Sequence, residues 1–302
     1  LGGGALLLDG MPVEGAGVAF AAAGPIRFGA RALSGEVEVR RGAGGLQVID
    51  VLPLDDYVAA VVGAEMPLSF PPEALKAQAV AARTFALVKK LEARDQGLDV
   101  DLGATVLDQV YPGAGSVDER ARAAARATQG EVLVNDHRPI EAYFHSACGG
   151  RTERGADGLG RDVPYLQAVE CGRCGDAPRY RWRAAIPAAE LGAAAGLGRP
   201  ATGARVVRRT ASGRVVRVEV EAGDRRVAIS GAELRRRLGY ERVPSLAFAL
   251  HAARGGFALE GKGSGHGTGL CQWGAAGSAR AGQGYRQILR HYYPGAELVK
   301  MY

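Results

Sequence analysis

The chain has 302 residues, enough for one large domain or two modest ones whose hydrophobic core needs no disulfide bonds. Its formal net charge of +6 suits a nucleic acid or another anionic polymer as a partner. Basic and aromatic residues do not alternate in a stripe, which argues against nucleic acid, and the densest basic run, 235–237, is typical of a solvated helix face. The 45 glycines cluster in short loops without a fixed period, which excludes collagen-like chains.

The predicted elements begin with strands and continue with helices. Residues 35–40 and 46–50 alternate apolar and polar side chains with a period of two, which predicts half-buried strands. Helical patterns follow over 54–64 and 72–94, and the second starts with prolines. Ser116 to Glu119 is a capping box that predicts a third helix, and a hairpin that turns at Asn135–Asp136 is predicted after it.

From residue 183 to residue 259 the pattern changes. Alternating strands over 214–220 and 226–229 and a short helix over 231–238 predict a β-rich subdomain. We expect it to be inserted into a core made of residues 1–182 and 260–302, where it would form one wall of a cleft. Two short helical patterns near the C-terminus, over 272–281 and 285–292, are split by Gly282–Gly284. The expected fold class is therefore α+β, with a helical and strand core that bears the cleft and an inserted β-rich subdomain.

One carboxylate, Glu65, stands at the end of the first helical pattern between Ala64 and Met66. An apolar setting raises a carboxyl pKa toward the range in which the group can donate a proton near neutral pH. The second helical pattern carries Gln78 and Arg83 among alanines and leucines, so these polar groups could face a cleft. The alternative is that Glu65 is an ordinary surface acid and that Arg83 pairs with any nearby acid.

The four cysteines suggest a metal site. His145-x-x-Cys148 and Cys171-x-x-Cys174 together supply one histidine and three cysteines, a ligand set and spacing suited to tetrahedral zinc. A zinc ion with four protein ligands would be structural and would not activate water. The alternative is a disulfide between two of these cysteines in an oxidising compartment. Cys271 is interpreted as a small buried residue rather than a nucleophile.

Three ordered blocks of the sequence resemble the stage II sporulation protein D family (SpoIID/LytB), which acts on bacterial peptidoglycan. The first block runs from the Glu65-Met-Pro67 triplet through the alanine-rich stretch 74–84. The second runs from Tyr143 to Glu153 and continues with 164–166. The third is the glycine-rich stretch 261–275, which continues to residues 288–295. Three blocks in order, spread over most of the chain, are more specific than any one of them.

The resemblance implies a lytic transglycosylase that cuts between N-acetylmuramic acid and N-acetylglucosamine and closes a 1,6-anhydro ring, without a metal in the chemistry. It places the single catalytic acid and base at Glu65. It implies that Arg83, Thr152 and Tyr165 bind the sugar or hold Glu65 in place, and His266 and Gln272 on the glycine-rich loop are further candidates. If the products were hydrolytic, Glu153 would be the first residue to test as a base that activates water.

The resemblance also implies partners and a location. The first partner would be peptidoglycan strands, especially strands from which an amidase has removed the peptides. The second would be the amidase itself. The alternative to an enzyme is an amidase enhancer that binds glycan without cutting it. The location that the resemblance implies is extracytoplasmic. Because the sequence begins at Leu1 and contains no apolar stretch of about 18 residues, we expect any export signal or membrane anchor to lie outside it.

Overall fold

The structure is a computed structural model that describes residues 6–42, 45–103, 109–115 and 117–302. The chain divides into two compact units, one formed by Leu1–Leu133 with Leu298–Tyr302 and the other by Val134–Glu297. Helices and mostly antiparallel strands occur in both units, and the predicted α+β class is confirmed.

The first unit starts with seven short strands: β1 Leu7–Leu8, β2 Met11–Pro12, β3 Gly17–Phe20, β4 Ile26–Phe28, β5 Arg31–Leu33, β6 Glu36–Gly42 and β7 Gly45–Val51. Strands β3, β6 and β7 form one antiparallel sheet, while β1 with β2 and β4 with β5 form two-stranded hairpins. The two strands predicted from alternation are β6 and β7. Val37 is buried and Val39 and Val48 are half-buried, whereas Leu46 and Val51 of β7 are exposed, so this sheet is covered only in part.

Three helices follow: α1 Leu54–Glu65, α2 Pro72–Asp95 and α3 Glu119–Ala127. The prediction for the first two was correct to within one residue at each end. Their shared core is rich in alanine and valine, and small side chains such as Ala77 and Ala81 let the helices pack closely. The predicted capping residue Ser116 lies outside the described residues; the observed N-cap of α3 is Asp118, which accepts a hydrogen bond from the Arg120 amide.

The chain passes from the first unit to the second within β8 Glu131–Asn135, which pairs with β9 Arg138–Pro139. The predicted hairpin is present, but its turn is one residue later than expected. Asp136 and His137 have φ angles of 48° and 60°, so the two residues of the turn are left-handed, as in the type I′ turns that match strand twist.

The rest of the second unit alternates strands and short helices: β10 Phe144–His145, α4 Gly155–Gly158, β11 Arg181–Pro187, α5 Ala188–Ala194, β12 Gly203–Arg209, β13 Val215–Ala222, β14 Arg225–Ser230, α6 Gly231–Leu238, β15 Phe248–Ala253, β16 Gly256–Lys262, β17 Leu270–Cys271, α7 Gln272–Arg280 and α8 Tyr285–Tyr292. The last strand, β18 Glu297–Lys300, leads back to the first unit. The predicted helices over 231–238 and 285–292 have the observed bounds. The predicted strands over 214–220 and 226–229 correspond to β13 and β14.

Residues 184–259 share one hydrophobic cluster, in which the sheets β11–β16–β15 and β12–β13–β14 and the helices α5 and α6 bury side chains such as Ile186, Val218 and Leu234. The segment predicted as an insertion therefore contains a core of its own. Its role as the wall of a cleft stays a prediction.

Candidate active site and cysteine cluster

Glu65 is the last residue of α1, and its side chain is half-buried between exposed Ala64 and buried Met66. One carboxylate oxygen, Oε1, accepts a hydrogen bond of 2.9 Å from the backbone amide of Val110. Burial raises the pKa of the Glu65 carboxyl above its ordinary value, and the bond from Val110 opposes part of that increase. The group is thus closer to the protonation range of a general acid than a surface glutamate is.

The segment that presents the Val110 amide is held on both sides of that residue. Gln109 is buried, accepts a hydrogen bond of 3.0 Å from the Tyr57 hydroxyl and donates one of 3.3 Å to the Ala82 carbonyl. The Tyr111 ring stacks on Tyr57 with centroids 5.2 Å apart. The amide is therefore fixed before any substrate binds. Sequence reasoning missed this partner because a backbone amide leaves no signal in the sequence.

Arg83 is fully buried in α2, and its guanidinium makes five hydrogen bonds within the first unit. Nε and Nη2 donate to Asp55 Oδ1 on α1 at 2.9 and 2.7 Å. The remaining bonds reach the Thr128 hydroxyl and the carbonyls of Ala125 and Glu131. A sugar could contact this guanidinium only if these bonds broke, so the geometry favours the positioning role over direct binding. Its acid partner is Asp55, at the opposite end of α1 from Glu65.

Gln78 lies one and a half turns before Arg83 on the same helix and is also fully buried. It does not face solvent in this structure. Its predicted role in substrate binding stays a prediction.

In the second unit, the two other sequence blocks meet where β10 and β17 pair in parallel, with Phe144 opposite Leu270 and His145 opposite Cys271. Thr152 follows β10 and is fully buried; its hydroxyl accepts a hydrogen bond of 2.7 Å from the Val169 amide. That bond fixes the loop that leads to Tyr165. Thr152 therefore acts in this structure as a loop anchor.

Tyr165 is half-buried, and its hydroxyl lies 3.5 Å from the Glu141 amide nitrogen. The Glu141 side chain is 12% exposed, and its Oε1 accepts hydrogen bonds from the Tyr143 hydroxyl at 3.0 Å and lies 3.1 Å from Arg161 Nη2. Burial and the negative charge of Glu141 raise the pKa of Tyr143 to about 12, and burial raises that of Tyr165. Sequence reasoning missed Glu141, although it stands two residues before the second block.

His266 is held by backbone groups of the second unit. Its Nε2 donates to the Phe144 carbonyl at 2.8 Å, and its Nδ1 accepts from the Thr268 amide at 3.1 Å. Burial lowers the pKa of His266 to about 4, so the ring is neutral near pH 7. Gln272, the first residue of α7, is 5% exposed. Gln272 is therefore buried and His266 is half-buried, and their role in substrate binding stays a prediction.

Glu153 is 1% exposed and its carboxylate is enclosed. Oε2 accepts hydrogen bonds of 2.7 Å from the hydroxyls of Thr210 and Ser212, and Oε1 accepts one from the Arg154 amide. Arg214 Nη1 lies 3.9 Å away. A carboxylate with these partners has no free edge for a water molecule, so the geometry gives it a structural role.

Four buried cysteines form a cluster in the second unit: Cys148, Cys171, Cys174 and Cys271. All four sulfurs lie within 4.8 Å of one another, and Cys148 Sγ is 3.5 Å from Cys174 Sγ. Tetrahedral zinc with bonds of about 2.3 Å places its sulfurs about 3.8 Å apart, whereas a disulfide brings two sulfurs to about 2.05 Å. The free thiols and their spacing fit a metal ion.

The fourth member of this cluster differs from the predicted ligand set. Cys271 takes the position assigned to His145, whose Nδ1 instead donates to the Thr268 carbonyl at 3.1 Å. Cys271 Sγ also accepts hydrogen bonds from the amides of Cys148 at 3.2 Å and Gly274 at 3.3 Å. Such N–H donors stabilise the thiolate form that a metal requires. The pairing of β10 with β17 is the reason, because it brings Cys271 next to the loop of Cys148.

Two family descriptions match separate parts of the chain. The family described as Stage II sporulation protein matches residues 42–135, and a domain of unknown function, DUF8618, matches residues 173–269. An uncharacterized protein of Brachyspira hyodysenteriae is 36% identical over 256 residues, which cover 83% of this chain and 68% of that one. Stage II sporulation protein D of Bacillus subtilis is 30% identical over 270 residues, which cover 83% of this chain and 76% of that one.

The amidase enhancer of Bacillus subtilis is a more distant relative, 28% identical over 295 residues, and the match covers 79% of this chain but 40% of the enhancer. The fold and the site define an α+β protein with one half-buried glutamate at a helix end and a separate cluster of four cysteines. With its relatives taken into account, the chain belongs to the stage II sporulation protein D family.

Proposed function

We propose that this protein is a peptidoglycan lytic transglycosylase in which Glu65 is the single acid and base. The observation that carries the proposal is the Glu65 carboxyl itself, which is half-buried, has a raised pKa and is fixed by the Val110 amide. It lies within residues 42–135, the part that matches the family.

The position of the proton follows from the hydrogen bond. Oε1 accepts from Val110, so in the protonated acid the proton belongs on Oε2, which has no other partner among the residues that the structure describes. Oε2 would donate this proton to the glycosidic oxygen as the bond from C1 of N-acetylmuramic acid breaks. The resulting carboxylate would then accept the proton of the C6 hydroxyl as that oxygen attacks C1.

An intramolecular nucleophile removes the need for a second carboxylate. A hydrolase places a base to activate water, but here the C6 hydroxyl belongs to the same sugar and has a large effective concentration. The product is a 1,6-anhydro-N-acetylmuramic acid end, and no water is consumed.

The four cysteines would hold one structural zinc ion. With four thiolate ligands the ion has no open position, so its contribution is to tie β10, the loop 171–174 and the start of α7 together. No step of the glycan chemistry depends on it.

The substrate implies the compartment and the partners. Peptidoglycan lies outside the cytoplasm, so the protein would act on the extracytoplasmic side, on strands whose peptides an amidase has removed. Among the described residues, the structure has no helix of the length and apolar character needed to cross a membrane.

Mass spectrometry of products from peptide-free glycan strands tests the proposal. Wild-type protein should yield 1,6-anhydro ends, one water lighter than hydrolytic products. Glu65→Gln should keep the shape but lower the rate at least about 10²- to 10⁴-fold, because an amide cannot donate and then accept the proton. Glu73→Gln, an exchange of the same kind in the first turn of α2, serves as the control and should keep the activity. Reducing N-acetylmuramic acid ends, or an active Glu65→Gln protein, would refute the mechanism.

A second candidate is favoured by the match to the amidase enhancer. In that function the protein binds glycan and raises the rate of an amidase without cutting the strand. Absence of cleavage on peptide-free strands, together with a faster amidase reaction when the protein is added, would support the enhancer.

A further inference from the structure

Two positive charges lie side by side on the sheet β11–β16–β15. The antiparallel register places Arg181 opposite Lys262 and Arg183 opposite Glu260. Directly opposite residues project from the same face of a sheet, with Cβ atoms about 4.5–5.5 Å apart. Arg183 is neutralised, because its Nη2 lies 2.8 Å from Glu260 Oε1. Arg181 and Lys262 are exposed and have no ion-pair partner among residues 6–42, 45–103, 109–115 and 117–302.

A cavity of about 450 Å³ opens at this pair, lined by Arg181, Trp182, Arg183, Ala249, Glu260, Gly261 and Lys262. The volume falls in the range of small-molecule sites. The lining holds three cationic side chains and one carboxylate, so two positive charges are left for a ligand. An anionic group of one or two charges would complement it.

The backbone around the cavity is rigid. The Trp182 ring lies over Gly261, where an added Cβ would stand 2.1 Å from the ring carbon Cζ2. The Lys262 amide donates to the Ala247 carbonyl at 2.9 Å, and the Lys262 carbonyl accepts from the Ser245 hydroxyl at 2.6 Å. The backbone positions from which the two cationic side chains project are therefore fixed by the sheet.

The cavity adjoins both sequence blocks of the second unit. Lys262 is the second residue of the glycine-rich stretch 261–275, which also carries His266. An added Cβ at Gly149, in the second block, would stand 2.8 Å from Lys262 Cβ, so this glycine packs against the lysine. The cationic pair therefore lies next to the sequence blocks through which the second unit resembles the family.

Like charges directly opposite each other destabilise a strand pair. A bound anion would remove that repulsion, and an arginine beside a lysine offers a planar pair of donors and a mobile point charge for an oxyanion. We propose that Arg181 and Lys262 form a carboxylate-binding subsite for the glycan strand.

This assignment rests on the proposed function and names the feature that is recognised. Removal of the stem peptide by an amidase frees the lactyl carboxylate of each N-acetylmuramic acid, whereas an intact peptide keeps that group as a neutral amide. A subsite that binds this carboxylate would select peptide-free strands by charge.

Binding in the Glu65→Gln background tests the subsite without cleavage. The probes are peptide-free strand fragments and the same fragments whose carboxylates have been coupled to methylamine. The test variant carries Arg181→Gln and Lys262→Gln. The matched control carries Arg208→Gln and Arg217→Gln, because these exposed arginines are also directly opposite on two strands of the same unit.

The parent protein should bind the free carboxylate strands at least about tenfold more tightly than the amidated strands, a difference of about 1.4 kcal/mol. The Arg181/Lys262 variant should lose this preference, and the control variant should keep it. Thermal unfolding should show both variants folded, since each loses a repulsive pair.

Equal binding of the two probes by the parent, or equal losses in both double variants, would overturn the assignment and indicate general charge attraction. Tighter binding of polyphosphate than of the carboxylate strands would overturn it in favour of a phosphate ligand. The product assay on wild-type protein tests cleavage separately, so the subsite and the transglycosylase mechanism can fail independently.

Discussion

Replacement of Arg83 by methionine distinguishes a positioning arginine from a sugar-binding one. Methionine fills a similar volume but removes all five hydrogen bonds of the guanidinium. The Asp55 carboxylate is 22% exposed and can regain some water, whereas the carbonyls of Ala125 and Glu131 lose a donor that water replaces poorly. An orphaned buried group costs about 1–3 kcal/mol, and breaking a buried pair costs about 3–5 kcal/mol in total.

We therefore expect Arg83→Met to lower the free energy of unfolding by about 3–5 kcal/mol. At about 2–4 °C per kcal/mol, the melting temperature should fall by about 6–20 °C. Urea and thermal unfolding followed by circular dichroism would measure both quantities. The control is Arg126→Met, because Arg126 is 63% exposed and pairs with exposed Glu119 on α3; it should cost less than about 1 kcal/mol.

Two outcomes of the Arg83 experiment have different meanings. A loss below about 1 kcal/mol would refute the argument that the buried network stabilises the fold. Unchanged stability combined with weaker binding of glycan would instead show that Arg83 contacts the sugar. If the network is correct, cleavage should decline together with stability, because Arg83 holds α1 and the end of α1 carries Glu65.

Two further predictions concern the titration of Glu65 and the cysteine cluster. Burial raises the pKa of Glu65, so the contribution of this group to stability is complete below its ordinary pKa of 4.5 and is lost as the pH rises through the folded value. In urea unfolding, the free energy of unfolding of Glu65→Gln should therefore equal that of wild type at about pH 4 and exceed it at about pH 8. A difference that does not change with pH would contradict this. The purified protein should contain about one zinc per chain. Cys271→Ser and Cys171→Ser should each remove the zinc and lower the melting temperature, while His145→Ala should retain it. Metal analysis that finds zinc lost from His145→Ala but kept in Cys271→Ser would restore the predicted ligand set.

Local patterns in the sequence were sufficient to predict most of the regular elements. Alternation with a period of two gave β6 and β7, and prolines at the start of α2 located its first turn. These features depend on neighbours within a few residues, since side-chain direction and backbone restriction repeat with the period of the element itself. The position of Glu65 between apolar neighbours at the end of a helical pattern is also a local property, but its catalytic role was implied by the family resemblance and stays a prediction.

Partners distant in the chain required the tertiary structure. Sequence spacing suggested His145 as the fourth ligand because it lies three residues from Cys148, but the parallel register of β10 and β17 brings Cys271 to the cluster instead. Likewise, the sequence left open whether Arg83 faces a cleft or an acid, and the answer depends on Asp55 and on carbonyls after α3. The sequence pattern of a polar side chain on an apolar helix face is the same whether the side chain faces a cleft or pairs with an acid. Only the packing of the surrounding elements decides which donors and acceptors come within hydrogen-bond distance.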